Sequence, residues 1–339
     1  MLSAALPALA AEAVAARPAA SAASGPVTGG QPPGPVTADV RERLFAVGRA
    51  ALVQVRTLLK GPDSQSSVGS GFVVSASGHL ITNYHVVSQY ALQPAQYRLV
   101  FVSPDGRQGA LELQGVDVVH DVALLRAADP ALLADARPLA FRPADEPLAR
   151  GERLQSLGNP LDVGFAVVEG AYNGLVERSF LPTIFFGGSL SPGMSGGPTL
   201  DAQARVIGVN VATRRDGEQV SFLVPAAYAA ALFERARDAA PIVQPMHDEI
   251  ARQLTAHQQA LVERFVALPW RDSGNAYYRI PLPTETFMRC WGQSTSPETR
   301  GLRFERSDCA MDSRIFVAGG LLVGYLTTRH EAYDGRHLG

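Results

Sequence analysis

Three short stretches of this chain carry the residue types that make a hydroxyl group nucleophilic. Ser195 stands in Gly193-Met194-Ser195-Gly196-Gly197-Pro198, His85 in Leu80-Ile81-Thr82-Asn83-Tyr84-His85-Val86-Val87, and Asp121 opens Asp121-Val122-Ala123-Leu124-Leu125. A serine hydroxyl reacts poorly near neutral pH, so it needs a base within hydrogen-bond reach and a third group to orient that base. It also needs N–H groups aimed at the oxyanion that forms on the attacked carbonyl. Gly193 has no Cβ, so its N–H can turn inward beside that of Ser195. His85 would then act as the base, with Asp121 fixing its tautomer through Nδ1. Each residue alone also has an ordinary reading. Ser, Gly and Pro favour tight turns, a histidine at a strand end can simply pack or face water, and Asp121 can be a strand-edge carboxylate. Their joint occurrence, each in its expected context, favours chemistry.

The chain order is His, Asp, Ser. Hydrolases of the α/β type run Ser, Asp, His and subtilisins Asp, His, Ser, so neither order fits. The elements that must position the three residues read as short strands. A helical lead-in from Val40 is followed by a strand at Leu52–Thr57, and Gly61-Pro62-Asp63 through Ser67 reads as a loop. Gly71–Val74 and His79–Asn83 then read as strands joined at Ser77-Gly78, followed by Tyr97–Val102, Ala110–Val116 and Val122–Arg126. Beyond a proline-rich stretch at 138–147, a second series runs Arg153–Gly158, Phe165–Asn173, Thr183–Phe186, Gly197–Leu200, Val206–Ala212 and Val220–Val224. Two blocks of short strands without strand–helix alternation predict a mainly β protein built as two antiparallel barrels.

The 339 residues divide by composition. Residues 1–37 are Ala, Pro, Gly, Ser and Thr-rich, with Glu12 and Arg17 the only charged side chains. Leu2 to Ala10 reads as a short apolar run ending in an Ala-Leu-Ala cleavage pattern, though no basic residue precedes it. Export to the bacterial periplasm or the medium is expected, with an incomplete signal pattern. Residues 38–240 hold the catalytic candidates. Residues 241–270 read as a helical linker, with Met246, Ile250, Leu254, Leu261, Phe265 and Leu268 near helical spacing, and 271–339 as a small β-rich region. A formal charge of −2 and the lack of basic runs interleaved with aromatics argue against nucleic acid as partner. No stretch of apolar residues reaches spanning length. Cys290 and Cys309 would most simply form one disulfide in an exported protein, with two buried thiols as the alternative; two thiols alone make a poor zinc site, so no metal or cofactor is expected.

With these residues in view, the chain resembles the trypsin-like serine proteases of the HtrA/Deg type. The matching pieces are Gly69-Ser70-Gly71-Phe72-Val73-Val74, Thr82 through Val87, Asp117 through Leu125, Leu157-Gly158-Asn159-Pro160, Gly193 through Pro198, Val206 through Asn210, and Ser221 through Pro225. They fall in family order over about residues 42–230. The resemblance implies two Greek-key barrels with a cleft between them, His85 as general base, Asp121 as its orienter, Ser195 as nucleophile and polypeptide as substrate. Two departures stand out: Met194 replaces the usual Asn or Asp, and no carboxylate-binding loop of a PDZ domain is legible after residue 241.

The resemblance further implies a primary pocket lined by Ser189, Leu190, Val211, Ala212 and Thr213. None carries a charge, and an unpaired buried charge is costly, so small or medium apolar side chains are the expected fit. His120 reads as a solvated neighbour of Asp121, and Arg214, Arg215, Asp216 and Glu218 as a charged hairpin tip. A protease fold kept for binding without turnover is the alternative of another class.

Overall fold

The computed structural model describes residues 38–160, 163–215, 218–272, 274, 279, 281–284, 287–296, 298, 302–311 and 313–334. The expected signal segment at 1–37 lies outside these.

Helix α1 (Ala38–Ala51) leads into the first six strands. These are β1 (Leu52–Leu59), β2 (Gln65–Val73), β3 (His79–Thr82), β4 (Tyr97–Val102), β5 (Gln108–Asp117) and β6 (Val122–Ala127). They close an antiparallel barrel in the order β1-β2-β3-β6-β5-β4. The second set is β7 (Arg153–Gly158), β8 (Ala166–Leu175), β9 (Ile184–Phe186), β10 (Pro198–Leu200), β11 (Val206–Arg215) and β12 (Glu218–Pro225). It closes in the order β10-β11-β12-β9-β8-β7. The two-barrel architecture expected from the sequence is therefore present.

Alternation along the strands explains why the barrels stay together. Side chains on a strand point to opposite faces in turn. Val53, Val73, Leu80, Ala123 and Leu125 fill the first barrel's own core. Their neighbours Leu52, Phe72, Ile81, Val122 and Leu124 point outward and meet Leu157, Leu200, Val206 and Val209 of the second barrel. Both faces of these strands are buried, so Val122-Ala123-Leu124-Leu125 reads as an unbroken apolar run.

Two helices were not expected from the sequence. Helix α2 (Tyr84–Leu92) starts directly after the strand expected at His79–Asn83. Helix α3 (Ala226–Ala236) follows β12, and its Ala229, Leu232 and Ala236 join the apolar seam between the barrels. Alanine is the strongest helix former, and a small side chain lets the helix lie close against the strands. An alanine-rich run carries little periodic signal, which is why α3 is hard to see in the sequence.

After α3 come helix α4 (His247–Val266) and strands β13 (Trp270–Asp272), β14 (Pro281–Pro283), β15 (Met288–Ser294), β16 (Arg303–Met311), β17 (Ile315–Ala318), β18 (Leu321–Val323) and β19 (Thr327–Asp334). The helix anchors at both ends. Met246, beside its start, and Ile250 enter the first barrel's cluster, while Leu261 packs with Phe287, Met288, Cys309 and Met311. Strands β15, β16 and β19 form one sheet, and Cys290 and Cys309 sit directly opposite each other on β15 and β16, joined by a disulfide. The β17–β18 hairpin leaves that sheet and packs Ile315 and Val317 into the first barrel's cluster. Among the described residues, no helix is long and apolar enough to cross a membrane.

Candidate active site

His85 owes its position to the burial pattern of α2. Tyr84, Val87, Ser88 and Ala91 recur at helical spacing and are buried, so one face of the helix is fixed against the barrel. His85, Gln89 and Leu92 fall on a less buried face. The residue before the helix, Asn83, has extended backbone and does not cap it with its side chain. Its Nδ2 instead donates to the Asp121 carbonyl at 2.8 Å.

Asp121 takes over the capping. Its Oδ1 accepts the His85 backbone N–H at 2.8 Å, and its Oδ2 accepts from the ring Nδ1 at 2.7 Å. The first N–H groups of a helix have no partner within the helix, and its N-terminus favours negative charge. One carboxylate therefore satisfies the helix start and orients the imidazole together. Asp121 adopts a left-handed backbone, with φ 56°, a conformation that L residues adopt at some cost. The turn from β5 to β6 holds it there. Asp117 accepts the His120 N–H at 3.0 Å and the His120 Nδ1 proton at 2.8 Å, and the His120 ring stacks on Tyr228 at 3.6 Å between centroids. His120 is thus a tied, half-buried residue rather than a solvated neighbour, a difference that follows from the side chains of Asp117 and Tyr228.

The His85 proton affinity reflects opposing influences. Burial, the largest single influence, lowers its pKa; the charge of Asp121 and the hydrogen bond to it together outweigh burial and raise it above the ordinary value. For Asp117 burial pushes upward, but the His120 hydrogen bonds and charge prevail and lower it.

Ser195 lies in the loop between β9 and β10, and β2 clamps that loop from one side. Ser70 N–H donates to the Ser195 carbonyl at 2.7 Å, and Ser70 Oγ donates to the Gly193 carbonyl at 2.7 Å. From the other side, Asn210 on β11 organises the loop. Its carbonyl accepts the Gly196 N–H at 3.0 Å, and its N–H donates to Gly197 at 2.9 Å. Its fully buried side chain donates to Leu157 and Met194 carbonyls and accepts from Ser156 and Thr199 hydroxyls. Asn210 stood in a matching sequence segment, but no role for it was legible there.

These contacts bring the nucleophile loop against the start of α2. Gly69 is wedged between the two: a Cβ there would lie 2.6 Å from Val86 and 2.9 Å from the Ser195 carbonyl. Gly196 is left-handed, with φ 85°, and a Cβ would overlap Ser70 O and Thr82 Oγ1 and reach 3.0 Å from Asn83 N. Gly193 is also left-handed, with φ 91°. Met194 turns its side chain into the second barrel's cluster with Leu154, Leu190 and Ile207, so its apolar character serves packing.

A cleft of about 520 Å³ opens beside the His85–Asp121 pair. Val176, Leu181 and Val211 of the second barrel form one wall, and Phe316 of β17 another. Of the residues expected to line a primary pocket, Val211 faces this cleft. Leu190 is fully buried in the second barrel's cluster, its N–H donating to Ser221 Oγ at 2.8 Å, and Ser189 is exposed. The side chains of Ala212 and Thr213, and those of the expected hairpin tip, lie outside the described residues.

Residues 69–209 match the family of trypsin-like peptidase domains. The chain is 31% identical over 204 residues to a probable periplasmic serine endoprotease DegP-like of Halomonas elongata, covering 56% of this chain and 41% of that protein. It is 30% identical over 172 residues to the putative serine protease HhoB of Synechocystis sp., covering 48% of this chain and 38% of that protein. Among solved structures, the Rv3671c protease from M. tuberculosis in its active form shares the fold, with a TM-score of 0.51 and 22% identity over 66% of this chain and 96% of that one. The chain spans about two fifths of the length of the curated relatives it matches.

Proposed function

We propose that this chain, whose residues 69–209 match the trypsin-like peptidase domains, is a serine endopeptidase of the HtrA/Deg type that cleaves exposed or unfolded polypeptide through an acyl-enzyme. The observation that carries this reading is the double grip of Asp121 on the backbone and ring of His85, beside a loop that carries Ser195.

In this mechanism Ser195 Oγ attacks the scissile carbonyl while His85 Nε2 accepts its proton. Asp121 holds the Nδ1–H tautomer and stabilises the imidazolium without itself taking the proton. The N–H groups of Gly193 and Ser195 stabilise the oxyanion. His85 then donates its proton to the leaving amine, and the acyl group on Ser195 is hydrolysed by water activated by the same imidazole. Burial of the Ser195 loop and its clamps to Ser70 and Asn210 support the reading, because a nucleophile must be held at rest in its reactive geometry.

The same proposal assigns residues 38–240 to the protease domain, 241–270 to a linking helical segment and 271–339 to a β-rich appendage. It takes an uncharged side chain in the primary pocket around Ser189, Leu190, Val211, Ala212 and Thr213. Export fits two observations: relatives bear the name periplasmic endoprotease, and a disulfide joins Cys290 to Cys309, as in oxidising compartments.

The test is a fluorophosphonate probe alongside casein cleavage. Wild-type protein should label at Ser195 and degrade casein. Ser195→Ala and His85→Ala should each lose activity by roughly 10⁴-fold or more, and the double variant little beyond either, because the residues act as one unit. Labelling without proteolysis would point to an esterase or a narrow specificity. Neither signal would leave a binding protein on a protease scaffold.

A further inference from the structure

The β17–β18 hairpin comes from the appended region, yet it stands at the cleft. The Phe316 ring meets the His85 ring edge-on at 6.1 Å between centroids, and it meets Tyr84 at 6.4 Å. The contact is anchored from behind. Tyr84, fully buried and adjacent to His85 in sequence, donates its hydroxyl proton to the Val317 carbonyl at 2.8 Å, while Ile315 and Val317 are buried in the first barrel's core. A strand with alternate residues locked into a core presents the residue between them on its other face. That residue is Phe316, and it is half-buried on the cleft wall.

Leu322, exposed on β18, and Arg314, exposed just before β17, line the same cleft. The Arg314 guanidinium lies 5.2 Å over the Tyr325 ring. Among the described residues that line this cleft, the carboxylate is that of Asp121, and it is engaged with His85. The cleft thus combines an apolar surface of side-chain size with a cation at its mouth.

We propose that this hairpin forms a substrate subsite beside His85. Phe316 selects a large apolar side chain of the polypeptide, and Arg314 selects an acidic residue next to it. This rests on the proposed peptidase reading. A large apolar group entering the cleft gains contact with Phe316, Leu181 and Val211, whereas a basic residue at its mouth meets the like charge of Arg314. The appended region thus adds its own selectivity to that of the barrels.

Internally quenched peptides that differ at one position test this, with leucine or phenylalanine against alanine for the apolar site and glutamate against lysine for its neighbour. Wild-type protein should prefer the large apolar and the acidic peptide by about tenfold in kcat/KM, the scale on which a pocket discriminates small changes in side-chain size. Phe316→Ala should remove the apolar preference and Phe316→Leu should restore most of it. Arg314→Glu should reverse the preference between glutamate and lysine; its side chain is exposed, so this arm survives even where Phe316→Ala fails to fold. Active wild-type protein whose preferences are unchanged in both variants would overturn this proposal and leave the peptidase reading standing. Wild-type protein that neither cleaves a peptide nor labels with fluorophosphonate would overturn both.

Discussion

At the scale of the residue, Asp121 governs the working pH of the site. Burial disfavours the imidazolium of His85, and only the carboxylate, through its charge and its hydrogen bond, raises the pKa above the ordinary histidine value. A raised pKa means that the base stays protonated to a higher pH. The acid limb of kcat/KM should therefore fall above pH ~6.5, the ordinary value for histidine. Asp121→Asn removes the raising influences and leaves burial, so the limb should move to lower pH while the rate drops by about 10⁴-fold through the wrong tautomer. Rate measurements from pH 5 to 9 on both proteins check this, and an unshifted limb in the variant would contradict it. Stability follows the same linkage with its own sign. The pair's contribution is present in full below the unfolded-state pKa and is lost as pH rises through the higher folded-state value. His85, Asp121 and Ser195 were legible because their types and neighbours are specific to one chemistry. Asn210, Asp117 and Phe316 were not, since each acts through partners distant in sequence, such as Leu157, Tyr228 by way of His120, and His85.

The short strands could be read at the scale of the element because both barrels use alternation and turn residues at regular spacing. Strands β4 and β7 lie where they were expected, at Tyr97–Val102 and Arg153–Gly158. The helices α2 and α3 escaped for opposite reasons. In α2 the run Tyr84-His85-Val86-Val87 is rich in β-branched residues that suit a strand, and tertiary burial of Tyr84, Val87 and Ala91 overrides that preference. In α3 alanine supplies propensity without pattern. The nucleophile loop illustrates how elements determine function. It is held between β2 and β11, so its geometry should be sensitive to changes outside the reacting residues. Gly196→Ala places a Cβ against Ser70 O and Thr82 Oγ1 in a left-handed backbone. Asn210→Ala strips four side-chain hydrogen bonds from buried partners. Each buried group left unsatisfied costs about 1–3 kcal/mol, so both variants should show a lower Tm by calorimetry. Both should also lose fluorophosphonate labelling of Ser195 by more than the loss of folded protein accounts for. A variant that melts early yet labels at the wild-type rate would mean that the loop keeps its shape without these supports.

The whole molecule joins its parts by a route the sequence did not disclose. Composition separated a catalytic span from a cysteine-bearing tail, but Ile315 and Val317 look like any strand pair until they are seen in the first barrel's core. Among the described residues, the appended strands meet the barrels at several places, including Ser179 and Phe180 of the β8–β9 loop against Ser313 and Phe287, and two attachments reach the first barrel. One is the β17–β18 hairpin on α2, and the other is α4, which reaches from Ile250 in the first barrel's cluster to Leu261 beside Cys309. The Cys290–Cys309 disulfide lies at the far end of the second attachment, across β15 and β16. Closing a loop of this length stabilises a fold by about 2–4 kcal/mol, chiefly by restricting the unfolded chain. Reduction, or replacement of both cysteines by alanine, should therefore lower the stability of the β15–β16–β19 sheet first. Hydrogen exchange should quicken on those strands, while the amides of β17 and α2 keep their protection through Tyr84 and Val317. Fluorophosphonate labelling of Ser195 should persist in the reduced protein, because its supports at Ser70 and Asn210 belong to the barrels. Labelling that declines in step with thiol release would instead show that α4 transmits the state of the disulfide to the nucleophile.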